Sequence, residues 1–208
     1  MQRRQFILAS LAATLAAACG RPPKLAPLPA GSRVIAFGDS VTYGTGAGAG
    51  EDWPTRLAAL TGWQISNAGV PGDTAEAAQA RVAALLGDSP PALAIIELGG
   101  NDFLKKRAAQ AVKQDLRNIV GRFQQAGVQV VLVAVPELSL LGVLAGKPSD
   151  SPIYRELAEE ARVPLIADVF SDVLGRPELC ADRIHPNGEG YRVMAEGIFA
   201  ALRKIGLA

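Results

Sequence analysis

From Ser32 onward, short aliphatic runs alternate with stretches of helical periodicity, and this alternation confines the chain to very few architectures. The clearest run is 128–135, in which Gln129 is the single polar residue. A strand apolar along nearly its whole length is buried on both faces, as in a parallel sheet covered by helices. Shorter runs at 34–37, 63–66, 93–98 and 164–169 supply four more strands, the first ended by Gly38. Residues 54–60 read as a helix, with Pro54 near its first position and Gly62 just past its end. Asp73 and Glu76 resemble a capping box opening an alanine-rich helix that stops at Gly87. Val112, Leu116, Ile119, Val120 and Phe123 recur at helical spacing, in a helix ending at Gly127. Residues 152–161 form another helix, and Tyr191, Met194, Ala195, Ile198, Leu202 and Ile205 make the apolar stripe of a last one. The expected fold is α/β, a three-layer α/β/α sandwich around a five-stranded parallel sheet. No internal repeat or second domain is visible.

The N-terminus is a separate object. Arg3 and Arg4 precede a 13-residue apolar run at 6–18, interrupted only by Ser10 and Thr14. Such a run is short for a membrane span and has the length of a signal-peptide core. Arg3-Arg4-Gln5-Phe6-Ile7 resembles a twin-arginine export signal. The sequence Leu15-Ala16-Ala17-Ala18-Cys19-Gly20 resembles a bacterial lipobox, with Ala16 where leucine is usual. The expected organisation is therefore a signal peptide over 1–18, a spacer over 19–31 containing Pro22, Pro23, Pro27 and Pro29, and one folded domain over 32–208. The protein would be exported to the periplasm or cell envelope and held to a membrane by lipid on Cys19. An ordinary signal peptide followed by a disordered tail is the plainer alternative.

A formal charge of +1 leaves no electrostatic footprint for nucleic acid. The chain has one histidine and no C-x-x-C, which argues against a transition-metal cluster. With Cys19 lipidated, Cys180 has no disulfide partner and reads as a small buried hydrophobe. Gly44, Gly46, Gly48 and Gly50 lack the Gly-Lys-Ser/Thr of a phosphate loop, and read as a mobile rim loop.

In open α/β sheets, sites form beyond the carboxyl ends of the strands. Gly38-Asp39-Ser40 follows the first strand, the 67–73 segment containing Gly69 follows the second, and Gly99-Gly100-Asn101-Asp102 follows the third. Asp182-Arg183-Ile184-His185-Pro186 lies beyond the fifth. A serine hydroxyl becomes a useful nucleophile only when a base takes its proton, and imidazole is suited to that task. A carboxylate can hold the imidazole tautomer, and amide donors can meet the oxyanion of a tetrahedral intermediate. The Ser40 amide, the Gly69 amide and the Asn101 side chain are the candidate donors. Each residue alone has a plainer reading: Asn101 as a helix cap, Asp182 as an Asx turn, His185 as an ordinary satisfied histidine. Their shared rim favours chemistry. A second Gly-Asp-Ser at 87–89 follows a helix and precedes a strand, and reads as a turn on the opposite rim.

These four blocks, in this order, resemble the SGNH/GDSL hydrolase superfamily. The Gly69 to Thr74 and Gly99 to Asp102 segments are most similar to its branch of bacterial arylesterases, thioesterase I and lysophospholipase L1. The resemblance implies a flavodoxin-like topology and a serine hydrolase of carboxylic esters, acting through an acyl-serine intermediate. It implies Ser40, Asp182 and His185 as the catalytic triad, with the Ser40 and Gly69 amides and Asn101 forming the oxyanion hole. No metal or cofactor is expected, the expected substrate is a small-molecule or lipid ester, and the expected state is a monomer. Val41 departs from the leucine of the family motif, and 136–151 lacks the Asn-Tyr-Gly pattern common in that branch. Leu138, Leu140, Leu141, Val143 and Leu144 are candidates to line an acyl pocket. The rival readings are an envelope lipoprotein that uses the same fold for ligand or cell-wall binding, and a flavodoxin-like cofactor binder.

Overall fold

The computed structural model describes residues 25–137 and 148–208. The apolar run 138–144 and the N-terminal signal lie outside these residues. Strands β1 (Arg33–Gly38), β2 (Gln64–Gly69), β3 (Leu93–Glu97), β4 (Gln129–Val133) and β5 (Leu165–Ile166) form one sheet in the order β2-β1-β3-β4-β5. Every pairing is parallel. The α/β expectation and the five-stranded parallel sheet hold. β1, β3 and β4 are central, and their aliphatic side chains are buried, as the unbroken apolar runs require.

Helices cover both faces. They are α1 (Ser40–Tyr43), α2 (Trp53–Thr61), α3 (Ala75–Ala78), α4 (Val82–Leu86), α5 (Gly100–Leu104), α6 (Ala109–Gln125), α7 (Pro152–Ala161), α8 (Val169–Leu174) and α9 (Gly188–Lys204). On α2, Asp52 accepts the Thr55 amide at 2.9 Å as N-cap, Pro54 lies in the first turn, and Gly62 closes the helix. On α6, all five stripe residues are fully buried, each such side chain contributing ~1.5–3 kcal/mol relative to exposure. The stripe of α9 is buried likewise except at Ile205, which lies just past the helix end.

Three local expectations need correction. The helix beginning near Asp73 is capped by Thr74, whose hydroxyl accepts the Ala77 amide, and it breaks into α3, a 3-10 turn over Gln79–Arg81, and α4. Asp73 instead accepts from Arg81. The Arg81 guanidinium lies 4.6 Å from the Phe37 ring centroid and donates to the Ala68 and Gly38 carbonyls at 2.9 and 3.2 Å. It therefore ties together the carboxyl ends of β2 and β1, and the helix bends around it. The fifth strand has only two residues, because Val169 already opens α8. Cys180 is half-buried, with its thiol directed at the Val173 and Arg176 carbonyls.

The end of the proline-rich stretch is docked on the body. The Leu28 amide donates to the Leu207 carbonyl at 2.9 Å, Ala26 exchanges hydrogen bonds with the Gln129 side chain, and the Gly31 amide donates to the Gly62 carbonyl at 2.7 Å. Gln129 opens β4 and Gly62 precedes β2, so the chain enters the domain at the amino rim of the sheet.

Candidate active site

Gly38, Gly69 and Glu97 stand at one level of the sheet, since Gly38 pairs in register with both of the others. The carboxyl rim begins there. Asp39 turns the chain out of β1, and its Oδ1 accepts the Val41 amide at 3.1 Å, which fixes the first turn of α1 with Ser40 leading. Ser40 is thus held by a capped turn on a buried strand, a rigid support for a reacting atom.

His185 arrives from a loop before α9. One oxygen of Asp182 accepts the Ile184 and His185 amides, both at 2.8 Å, forming an Asx turn. Its other oxygen meets His185 Nδ1 at 2.8 Å. Asp182 therefore makes both the turn contacts and the contact to the imidazole, with different atoms. With Nδ1–H donated to Asp182, Nε2 carries the lone pair, and it lies 2.9 Å from Ser40 Oγ. Burial pushes the Asp182 carboxyl up, but the hydrogen bonds from the His185 ring and the two amides outweigh it, and its pKa lies below the usual carboxylate range. The Gly44–Gly50 loop, expected to be mobile, is anchored against this arrangement. The Thr45 carbonyl accepts the Tyr191 hydroxyl at 2.8 Å, and a Cβ on Gly46 would stand 2.6 Å from the Pro186 carbonyl and 2.8 Å from the Ala181 Cβ. Only a glycine allows that approach.

The candidate oxyanion donors divide. Among the described residues the Ser40 amide meets no acceptor. Asn101, in the first turn of α5, directs its Nδ2 at the Asp73 carbonyl, 2.9 Å, and at Asp39 Oδ2, 3.2 Å. The Gly69 amide donates to Asn67 Oδ1 at 2.9 Å, and Gly69 is wedged against the backbone of Thr42 and Tyr43. It does not line the depression beside Ser40, which is bounded by Asn101, His185, Leu104, Phe170 and Ile184 with Asp39 and Glu97 beneath. Gly72, in the same loop, has φ +84°, and its amide meets no acceptor among the described residues.

Three buried carboxyls lie under this rim. Asp102 is paired, accepting Arg107 Nη1 at 2.5 Å and the Ala75 amide at 2.8 Å. Asp39 and Glu97 have no cation within ion-pair distance among the described residues. Burial pushes the Asp39 carboxyl up to about 6, against the opposing pull of the Val41 amide, His185 and Asn101. Burial, and then the nearby Asp39, push Glu97 well above the usual range. Sequence reading passed over Glu97, although a carboxylate closing an otherwise aliphatic buried strand was a visible anomaly.

A hydroxyl, an imidazole and a carboxylate joined in series at the carboxyl rim of a parallel sheet define a serine hydrolase. Comparison with known proteins narrows the class. Residues 36–193 match the GDSL-like Lipase/Acylhydrolase family, and the chain belongs to that family. It is 30% identical over 181 residues to the thioesterase 1/protease 1/lysophospholipase L1 of Escherichia coli (strain K12), covering 85% of this chain and 86% of that one. It is 29% identical over 183 residues to the arylesterase of Vibrio mimicus, covering 84% and 90%. Among solved structures, TesA superposes with a TM-score of 0.71 at 26% identity, covering 83% of this chain and 99% of that one. AlinE4, an SGNH-hydrolase family esterase, gives 0.63 at 28% identity, covering 87% and 100%. The protein is an ester-hydrolysing serine hydrolase, and the reading as a non-catalytic envelope protein is not favoured.

Proposed function

We propose that Ser40 is the nucleophile of this hydrolase, His185 its general base and acid, and Asp182 the carboxylate that orients the imidazole. The observation carrying the assignment is the continuous series from Ser40 Oγ through both ring nitrogens to Asp182. Ser40 Oγ attacks the acyl carbonyl while its proton passes to His185 Nε2. The resulting imidazolium is steadied by Asp182 and protonates the departing alkoxide or thiolate. Water then repeats the sequence on acyl-Ser40 and returns the enzyme.

The oxyanion is met by the Ser40 amide and by Asn101 Nδ2, which exchanges its longer bond to Asp39 for the substrate oxygen. The sequence motif offers Gly69 as third donor, and it serves only if its amide leaves Asn67. Gly72, in the same loop, has an amide with no competing acceptor among the described residues, and the neighbouring Asp73 carbonyl is held by Asn101. Asn101→Ala is expected to lower kcat on p-nitrophenyl esters by ~10²–10³-fold with a smaller change in KM. A change below about threefold would remove Asn101 from the oxyanion site.

The substrate class is a carboxylic ester of a small or lipid alcohol, with aryl esters, lysophospholipids and acyl thioesters as candidates. Leu104, Phe170 and Ile184 beside Ser40 support an apolar acyl group. A chain-length series of p-nitrophenyl acyl esters, run beside Ser40→Ala, tests both points. Turnover by that variant equal to the wild type would sink the assignment.

The twin-arginine-like start and the Cys19 segment support export and lipid anchoring, with the protein acting as a monomer. The docking of 25–31 adds a geometric consequence. Leu25 lies six positions beyond Cys19, a reach of ~20 Å when extended. A lipid on Cys19 would therefore hold the amino rim against its membrane and turn Ser40 outward. Metabolic labelling with a palmitate analogue, lost in Cys19→Ala, tests the anchor. Absence of label on the wild-type protein would remove it.

A further inference from the structure

Glu97 is fully buried, and among the described residues its Oε1 has no hydrogen-bond partner. Its Oε2 lies 2.7 Å from the Thr42 hydroxyl. Thr42 is itself fully buried and belongs to the four-residue turn that Ser40 leads. The pair is locked against the sheet: a Cβ on Gly38 would stand 2.1 Å from Thr42 Oγ1 and 2.2 Å from the Glu97 carbonyl oxygen. The nucleophile's turn thus has two attachments below Ser40, the Asp39 carboxylate on the Val41 amide and the Thr42 hydroxyl on Glu97.

We propose that Glu97 is a positioning residue for Ser40, acting as a neutral carboxylic acid that clamps Thr42 and so fixes the turn carrying the nucleophile. This rests on the assignment of Ser40 as nucleophile.

The neutral form follows from the surroundings. An ionised carboxylate offers acceptors only, and burying one with an orphaned oxygen and no cation is far costlier than burying a neutral acid. The titratable groups facing Glu97 are Asp39 on the turn before α1, Tyr154 on α7 and Tyr191 on α9. None is a cation. Among the described residues Asp39 is the other buried carboxyl without a cation, and two close carboxyls of this kind favour keeping one proton between them. Asp39 needs its charge to hold the Val41 amide and the Asn101 side chain, so the proton belongs on Glu97. The Thr42 hydroxyl and the acid share one hydrogen bond whichever of them donates it.

Glutamine preserves the shape and the neutral polar end, whereas alanine removes the clamp. Glu97→Gln is expected to keep kcat within about threefold of the wild type, and Glu97→Ala to lose on the order of 10²-fold in kcat with KM little changed. Thr42→Val keeps the volume and removes the hydroxyl, and it should lower kcat in the same way. Combined with Glu97→Ala it should add little, since both break one contact. The proton also predicts a pH signature. Glu97 has a raised pKa, so its stabilising contribution is full at low pH and is lost as pH rises toward that pKa. As pH rises above the ordinary carboxylate range, the melting temperature of the wild type should therefore fall relative to that of Glu97→Gln.

Fluorophosphonate labelling of Ser40 in every variant separates this proposal from the assignment beneath it. Slower labelling of Glu97→Ala at the same serine, with Glu97→Gln restored, supports the clamp. Glu97→Gln as impaired as Glu97→Ala would overturn it, as would full activity in Thr42→Val or an unchanged gap in melting temperature. Absence of label on wild-type Ser40 would instead strike the nucleophile assignment.

Discussion

Replacing His185 by alanine is expected to lower kcat on an activated ester by about 10⁶-fold while leaving the fold intact. The chain contains no other histidine, so no second imidazole can take its place. Asp182 faces the far ring nitrogen, and the carboxylate nearest Ser40 in sequence, Asp39, is held by the Val41 amide and Asn101. Without a base the Ser40 hydroxyl keeps its proton at neutral pH and is a poor nucleophile. The imidazole stands at the rim, on a loop outside the strands and helices, so the fold should persist and the urea unfolding curve should shift only modestly. Asp182 makes a graded comparison. Its side chain is 53% exposed, so water can take part of its place beside the ring. Asp182→Ala should therefore cost about 10²-fold less than His185→Ala. Steady-state turnover of p-nitrophenyl acetate by the two variants measures both effects.

Gly38→Ala is expected to be strongly destabilising. The added carbon would meet Thr42 Oγ1, which can rotate away, and the Glu97 carbonyl oxygen, which cannot, because it belongs to the adjacent strand. β1 and β3 would have to separate at the point where the chain leaves the sheet toward Ser40. Overpacking against backbone costs about 3 kcal/mol or more, which for a domain of this size lowers the melting temperature by roughly 6–12 °C. Gly121 supplies the control. It lies inside α6 with nothing within 4 Å of an added Cβ. Gly121→Ala should raise stability by ~0.5–1 kcal/mol through helix propensity. Thermal unfolding of both variants checks the contrast, and equal shifts would mean that the packing at Gly38 is not what the geometry indicates.

The central strands were legible because burial on both faces leaves an unbroken aliphatic run, and 128–135 could hardly be anything else. The placing of the candidate site residues on one rim was legible for a related reason. Ser40 and Asn101 lie just beyond strand ends, and strand ends in a parallel sheet converge on one rim, so residues distant in sequence could be placed together. What escaped depended on contacts that no local pattern records. Asp73 and Glu76 have the spacing of a capping box, but Arg81 reaches back from the next turn, takes Asp73 for itself and leaves Thr74 as cap. The run at 164–169 is apolar enough for a strand, yet pairing lasts for two residues before α8 begins. Gly69 was read correctly as rim but not as occupied, since its hydrogen bond to Asn67 depends on a side-chain rotamer. Glu97 carried a signal in the sequence, a lone acid at the end of a buried strand, and its partner Thr42 lies 55 positions away.

The claim on which this account turns is that the Ser40 hydroxyl, activated by His185, forms the acyl-enzyme. Its most direct test is to react the purified protein with a fluorophosphonate and locate the adduct by mass spectrometry of its peptides. The account predicts one phosphonyl group, on Ser40, with the peptide containing Ser89 of the second Gly-Asp-Ser unmodified and labelling abolished in His185→Ala. An active enzyme modified at another residue, or left unmodified, would contradict it.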